Sequence, residues 1–243
     1  MGLTSEEEED FRERAIEFAR DNRKDIARRL TDPTVYLPED APVSIFMAGS
    51  PGAGKTEASK ELIEAVGGSL LRIDPDELRH EFDGYDGANA WLFQGAVSIL
   101  VERILDFAFK QNQSFLLDGT LSHYEKAKHN VQRSLGRRRA VQILYVYQEP
   151  KQAWAFVQER EGLEGRHIAL ETFIGQYFEA RKVVNALKKE FGKAIQVDLL
   201  MKNINGSHRF AKFNVDQIDN HIPEKYDSPS LRQLLRPSEA NPP

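Results

Sequence analysis

The residues with the clearest chemistry are Gly49, Ser50, Pro51, Gly52, Ala53, Gly54, Lys55 and Thr56, a first glycine followed after four residues by Gly-Lys-Thr. A loop of this kind wraps phosphate oxygens with backbone N–H groups at the positive end of a helix, and larger side chains would block that approach. Lys55 would reach the terminal phosphates of a nucleoside triphosphate, and the Thr56 hydroxyl would coordinate magnesium. The flanks suit the motif: the apolar run Val43-Ser44-Ile45-Phe46-Met47-Ala48 precedes it and a helical pattern opens at Thr56. A glycine turn that binds nothing would not need strand, loop and helix in this order. The implied cofactors are ATP and Mg2+.

Three further groups carry candidate chemistry. Asp118 follows Phe115-Leu116-Leu117 and precedes Gly119-Thr120. It stands at a strand's carboxyl end, where it would hold magnesium or its waters, or else it is only the acid of an Asp-Gly turn. In Ile73-Asp74-Pro75-Asp76-Glu77, Asp74 has a structural reading as an N-cap, with Pro75 at the first helical position and Glu77 as capping partner. Asp76 points towards the γ-phosphate and is the candidate acceptor of a substrate hydroxyl's proton. Arg160 and Arg166 flank Gly162 and Gly165 at a helix end. Guanidinium groups there would close over a transferring phosphoryl group, or would merely pair with Glu159, Glu161 or Glu164 on the surface.

Strands at Ser44–Ala48, Ser69–Ile73, Ser114–Leu117, Val141–Val146 and Ile195–Leu200 must position these groups. They alternate with helical patterns near Lys55–Val66, Asp76–Phe82, Asn89–Lys110, Tyr124–Leu135, Lys151–Glu161 and Leu170–Phe191. That alternation predicts an α/β fold with a mainly parallel five-stranded sheet covered on both faces. Ahead of it, Ser5 and Glu8 form a capping-box pattern opening an added N-terminal helix, which ends at Thr31-Asp32-Pro33. The expected division is 1–42 for this helix and its Pro-containing linker, 43–215 for the main domain, and 216–243 for a loosely docked tail with several prolines.

The 243 residues, 40% of them hydrophobic, suffice for one sizeable core. A net charge of −5 disfavours sequence-independent nucleic-acid binding, which needs a clustered cationic surface. The absence of cysteine removes disulfides, thiolate metal sites and a cysteine nucleophile. The six histidines show no metal-ligand spacing, so no zinc is assigned. An acidic N-terminus without a following apolar stretch, and no run long enough to span a bilayer, lead to the expectation of a cytoplasmic protein without membrane contact. No Asn-Lys-x-Asp element is present to read guanine, and no apolar run ends in Asp-Glu as a motor ATPase would have. The local basic patch of Arg133 and Arg137-Arg138-Arg139 reads as a solvated loop, and Gly84-Tyr85-Asp86-Gly87-Ala88-Asn89 as a turn with Asn89 capping the next helix.

From Ser44 to Val197 the order of these motifs resembles the zeta-toxin family of small-molecule kinases. The resemblance implies a three-layer P-loop kinase fold, with Asp76 of the Asp-x-Asp strand end as catalytic base and Arg160 and Arg166 as the two arginines at the helix end and lid. It also implies a substrate-binding glutamate, matched by Glu102, which lies 16 residues before Asp118. Asp118 and Thr120 stand in the Asp-Gly-Thr segment where relatives have Glu-Gly-Thr, and both are taken as substrate-binding. The implied activity is ATP-dependent phosphorylation of a hydroxyl on a UDP-activated amino sugar such as UDP-N-acetylglucosamine, with an antitoxin acting in trans. The chain departs from the family at Leu121-Ser122-His123, where known toxins often carry Gly-Arg, and this bears on the sugar specificity. The alternatives are a kinase of another small molecule or of a polynucleotide end, and a nucleotide-gated interaction protein.

Overall fold

The computed structural model describes residues 4–165, 167–202 and 209–236. A six-stranded sheet lies at its centre, built from β1 (Val43–Ala48), β2 (Leu71–Ile73), β3 (Phe115–Leu117), β4 (Ala140–Tyr147), β5 (Gln196–Lys202) and β6 (Arg209–Lys212). The strand order is β2-β3-β1-β4-β5-β6. All pairs are parallel except β5 with β6. The expected five strands are therefore present, and the correction is a sixth, antiparallel edge strand. Four residues are too few to show an alternating pattern above their surroundings.

The connecting helices are α2 (Lys55–Ala65), α3 (Gln94–Lys110), α4 (Tyr124–Leu135), α5 (Pro150–Glu164) and α6 (Leu170–Phe191). Residues facing β1 from both sides are in register, with Ile45 opposite Leu116 of β3 and Gln142 of β4. Because β2 and β3 lie to one side of β1 and β4 to the other, the chain reverses direction across the sheet at β1. A crevice forms there at the strands' carboxyl ends. Phe46, Phe115, Tyr145, Leu100 and Leu105 are among the fully buried side chains of the larger core. Each such burial stabilises by about 1.5–3 kcal/mol.

Helix α1 (Ser5–Leu30) packs along α3 and buries Ala15, Ala19, Ile26 and Ala27. Its capping box is formed by Thr4 and Glu7, one residue earlier than Ser5 and Glu8. Phe11 touches the position a Cβ would take at Gly84, and Phe18 meets Phe82 edge to face at 5.5 Å. The added helix thus braces the segment that follows β2. That segment holds two short 3-10 turns, Glu77–Glu81 and Ala90–Phe93, where the helical patterns predicted α-helix from Asp76 and from Asn89. The tail is also corrected. Ile218, Ile222, Leu231 and Leu235 are buried, and α7 (Ser228–Leu235), capped by Asp227, packs on α6. No helix among the described residues is long and apolar enough to cross a membrane.

Candidate active site

The glycine loop turns from the end of β1 into α2 with its backbone pressed against two neighbours. Gly49 has φ +136°, and a Cβ there would stand 2.3 Å from the Val146 carbonyl oxygen. Gly52 has φ +69°, and a Cβ there would stand 2.1 Å from the Ala153 carbonyl oxygen in the first turns of α5. Both conditions demand glycine. Lys55 Nζ donates to the carbonyl oxygens of Gly49 at 3.1 Å and Ser50 at 2.7 Å, spanning the mouth of the loop.

Next to the loop lies the Asp118-Gly119-Thr120 segment, whose Thr120 carbonyl accepts from Gly49 N–H at 3.3 Å. Thr120 Oγ1 is 3.0 Å from Ser122 Oγ. Asp118 is buried at the end of β3. Its Oδ2 is 2.9 Å from Ser59 Oγ of α2 and 2.7 Å from Arg72 Nη2 of β2. Ser59 Oγ is also 2.9 Å from the Thr56 carbonyl oxygen. The carboxylate is therefore one side chain away from Thr56.

Arg72 ties this group together. Nη2 also reaches Asp74 Oδ2 at 2.5 Å, Nη1 reaches Glu77 at 2.6 Å, and Nε donates to Ser59 Oγ at 3.0 Å. Burial works against its charge, yet Asp74, Asp118 and Glu77 outweigh it and the guanidinium holds its proton more tightly than usual. Asp74 is buried, and Asp76 N–H donates to its Oδ1 at 2.8 Å. The capping role read from the sequence is thus realised as an acceptor for Asp76 N–H, and an ion pair with Arg72 is added. Burial pushes the Asp74 carboxyl up to about 6; the like charges of Asp76 and Asp118 push the same way, against Arg72. The Asp76 carboxylate is half-exposed and pairs with the buried guanidinium of Arg79.

Not every candidate joins this cluster. Helix α3 descends from the strands' carboxyl ends, and Glu102 lies eight residues along it, about 12 Å down. There Glu102 pairs with Arg133 in the last turn of α4 at 2.9 Å. That places it on the flank of the domain, and the 16-residue spacing alone does not bring it to the loop. Arg160 is exposed on α5. Arg166 lies outside the described residues. Gly165, which caps α5, has the Asp86 carbonyl oxygen 3.8 Å from its Cβ position, so the end of this helix faces the Gly84–Asn89 loop. Asn89 closes that loop on itself, donating to the Gly84 carbonyl at 2.7 Å, rather than capping a helix. Tyr85 packs edge to face against Phe93 at 5.7 Å.

Sequence reasoning passed over three residues. Arg72 could have been found from its place in Leu71-Arg72-Ile73, because a cation inside a strand covered on both faces must be paired. Ser59 carried no signal beyond its place on α2. Lys202, at the end of β5, donates to the Gly54 carbonyl at 2.9 Å and lies 4.0 Å from Glu57. Burial lowers the pKa of its ammonium against the pull of Glu57.

A glycine loop, its lysine and a strand-end carboxylate at the crevice of a mainly parallel sheet define a three-layer P-loop fold of the kinase type. A family model for zeta toxins matches residues 26–215, and the chain belongs to the zeta toxin family. Comparison with curated proteins finds no match. Among solved structures the chain is similar to one from the PezAT chromosomal toxin-antitoxin system of Streptococcus pneumoniae, with 15% identity, 89% of this chain and 92% of that chain covered, and TM-score 0.65. It is also similar to a chain of the AvrRxo1-ORF1:-ORF2 complex with ATP, with 14% identity, 87% and 70% coverage, and TM-score 0.56. A chain of the Pnkp1/Rnl/Hen1 RNA repair complex shares 12% identity over 79% of this chain and 54% of that one, with TM-score 0.50.

Proposed function

We propose that the protein is a kinase that transfers the γ-phosphate of ATP to a hydroxyl of a small molecule, a UDP-activated amino sugar such as UDP-N-acetylglucosamine. The observation that carries this reading is the joining of the phosphate loop to Asp76 through Ser59, Asp118, Arg72 and Asp74. A nucleotide-gated binder needs the loop, but it does not need a strand-end carboxylate residue tied to it in this way.

Thr56 and Asp118 suit a divalent cation, a hydroxyl and a hard carboxylate oxygen being the ligands Mg2+ takes. No group of three or more His, Cys, Asp or Glu among the described residues converges on a metal, so phosphate oxygens would complete the set. When bound, Mg2+ neutralises charge on the β- and γ-oxygens. Asp76 accepts the proton of the acceptor hydroxyl as its oxygen bonds to the γ-phosphorus, and the β–γ bridging oxygen leaves with ADP. Lys55 holds the phosphates in line. The guanidinium groups of Arg160 and Arg166 stabilise charge spread over the transferring group. Glu102 is left out of this mechanism, because its pairing with Arg133 faces away from it. By analogy with the PezAT toxin-antitoxin system among the structural neighbours, a partner antitoxin would restrain the protein in the cytoplasm, where ATP and nucleotide sugars are available.

The test incubates the pure protein with ATP, magnesium and a panel of nucleotide sugars, and follows ADP release and the mass of each sugar. Acceptor-dependent ADP release with one phosphate gained by one sugar is expected. ATP consumption indifferent to every acceptor would favour the nucleotide-gated binder and overturn the kinase reading.

A further inference from the structure

The guanidinium of Arg72 stands where a cation would be drawn by the two most deeply buried carboxylates of the site. Its single Nη2 lies 2.5 Å from Asp74 Oδ2 and 2.7 Å from Asp118 Oδ2. Those two oxygens are therefore no further apart than the sum of these distances. The side chains are 8% and 4% exposed, and that of Arg72 is 11% exposed. Two carboxylates so placed repel one another strongly in a medium that screens poorly, and one positive charge between them relieves it. A hard divalent ion needs the same thing, anionic oxygens converging at close range.

We propose that Arg72 is a positioning residue that acts as a built-in cation: it fixes Asp74 and Asp118 and keeps divalent metal off the nucleotide-free protein, so that metal enters only with the phosphates. Its other two nitrogens fix that charge in place. Nε and Nη1 anchor the fork on Ser59 and Glu77, so the charge cannot swing away from the carboxylates. The same fork sets Asp74 Oδ1 to receive Asp76 N–H, which links the placing of the proposed base to the placing of Asp118. The inference rests on Asp118 being the carboxylate on the metal side. It is read out without any acceptor, so it stands or fails separately from the substrate.

The experiment measures Mn2+ binding to the nucleotide-free protein by electron paramagnetic resonance, for the parent, Arg72→Gln, Arg72→Lys and Arg72→Gln with Asp118→Asn, with melting curves of each in Mn2+. Arg72→Gln keeps donor groups but removes the charge, and it should bind Mn2+ about tenfold more tightly than the parent or better. Its melting temperature should rise with Mn2+ where the parent's does not. Arg72→Lys should bind no better than the parent, and the double variant should lose what Arg72→Gln gained. A purely structural arginine would cost stability on removal without creating metal affinity. The proposal is overturned if Arg72→Gln binds Mn2+ no more tightly than the parent, if Arg72→Lys binds as tightly as Arg72→Gln, or if the double variant still binds. It is overturned too if Arg72→Gln fails to fold even in millimolar Mn2+, because the ion is expected to take the place of the missing charge.

Discussion

Asp74→Asn isolates the cost of keeping a charge at the buried strand end. The folded carboxyl titrates at about 6 against an ordinary 3.8. The folded chain therefore holds the proton more tightly than the unfolded chain, and the stability this contributes is full below about pH 4. As pH rises the unfolded carboxyl ionises first, and the contribution is lost progressively until the folded group has ionised near pH 6. A shift of about two pH units at 1.36 kcal/mol each amounts to a loss of about 3 kcal/mol across that window. Asn cannot titrate, and its side-chain oxygen still accepts Asp76 N–H. Denaturant unfolding of parent and variant from about pH 4 to about pH 7 gives the difference directly and cancels the titrations that are not coupled to Asp74. The parent should lose about 3 kcal/mol relative to Asp74→Asn over that range. A difference that stays flat, or that favours the parent as pH rises, would show that Arg72 outweighs burial at this position and refute the argument.

Asp76→Asn should leave ATP affinity and melting temperature near the parent's while turnover with the accepted sugar falls ~10²–10⁴-fold; unimpaired turnover would remove Asp76 as the base. Lys55→Ala should lose nucleotide affinity and turnover together, as seen by calorimetry and ADP release, and parent-like rates would contradict the phosphate loop. Arg160→Ala should slow transfer far more than it weakens ATP binding, because its charge acts on the transition state; the opposite pattern would make it a ground-state contact. Gly52→Ala meets both a left-handed backbone costing about 1–2 kcal/mol and the Ala153 carbonyl. Its melting temperature should drop by about 2–4 °C per kcal/mol, and an unchanged value would refute the packing described.

The parallel strands and the phosphate loop were legible because each is a local pattern: an apolar run, a glycine spacing, a helix start. Thr4 and Ser5 each have a glutamate three residues on, so the capping box could be placed by sequence only to within one residue. β6 is four residues at an edge, and its pairing with β5 is visible only in three dimensions. The tail's prolines drew attention from Ile218, Ile222, Leu231 and Leu235, whose partners lie on distant elements. Among the candidate residues, Asp76 and Asp118 could be placed just beyond strand ends from the sequence, where the structure has them. Glu102 was placed by spacing, but which face of α3 it occupies depends on the packing of α4. That Arg72 needs a partner can be read from its place in β2, but which residues pair with it depends on the packing of α2 and β3.

The contact between Gly52 and Ala153 has a mechanical meaning. With no side chain between them, the loop backbone is the seat on which the first turns of α5 rest, and the same helix carries Arg160 seven residues, about 10 Å, further on. A helix is stiff over that length, so it behaves as an arm pivoted at the cradle. A tilt of the helix at that seat, were the loop to tighten around phosphate, would be enlarged at the arm's far end. A methyl group added at residue 52 would tilt the arm as well as crowd the cradle.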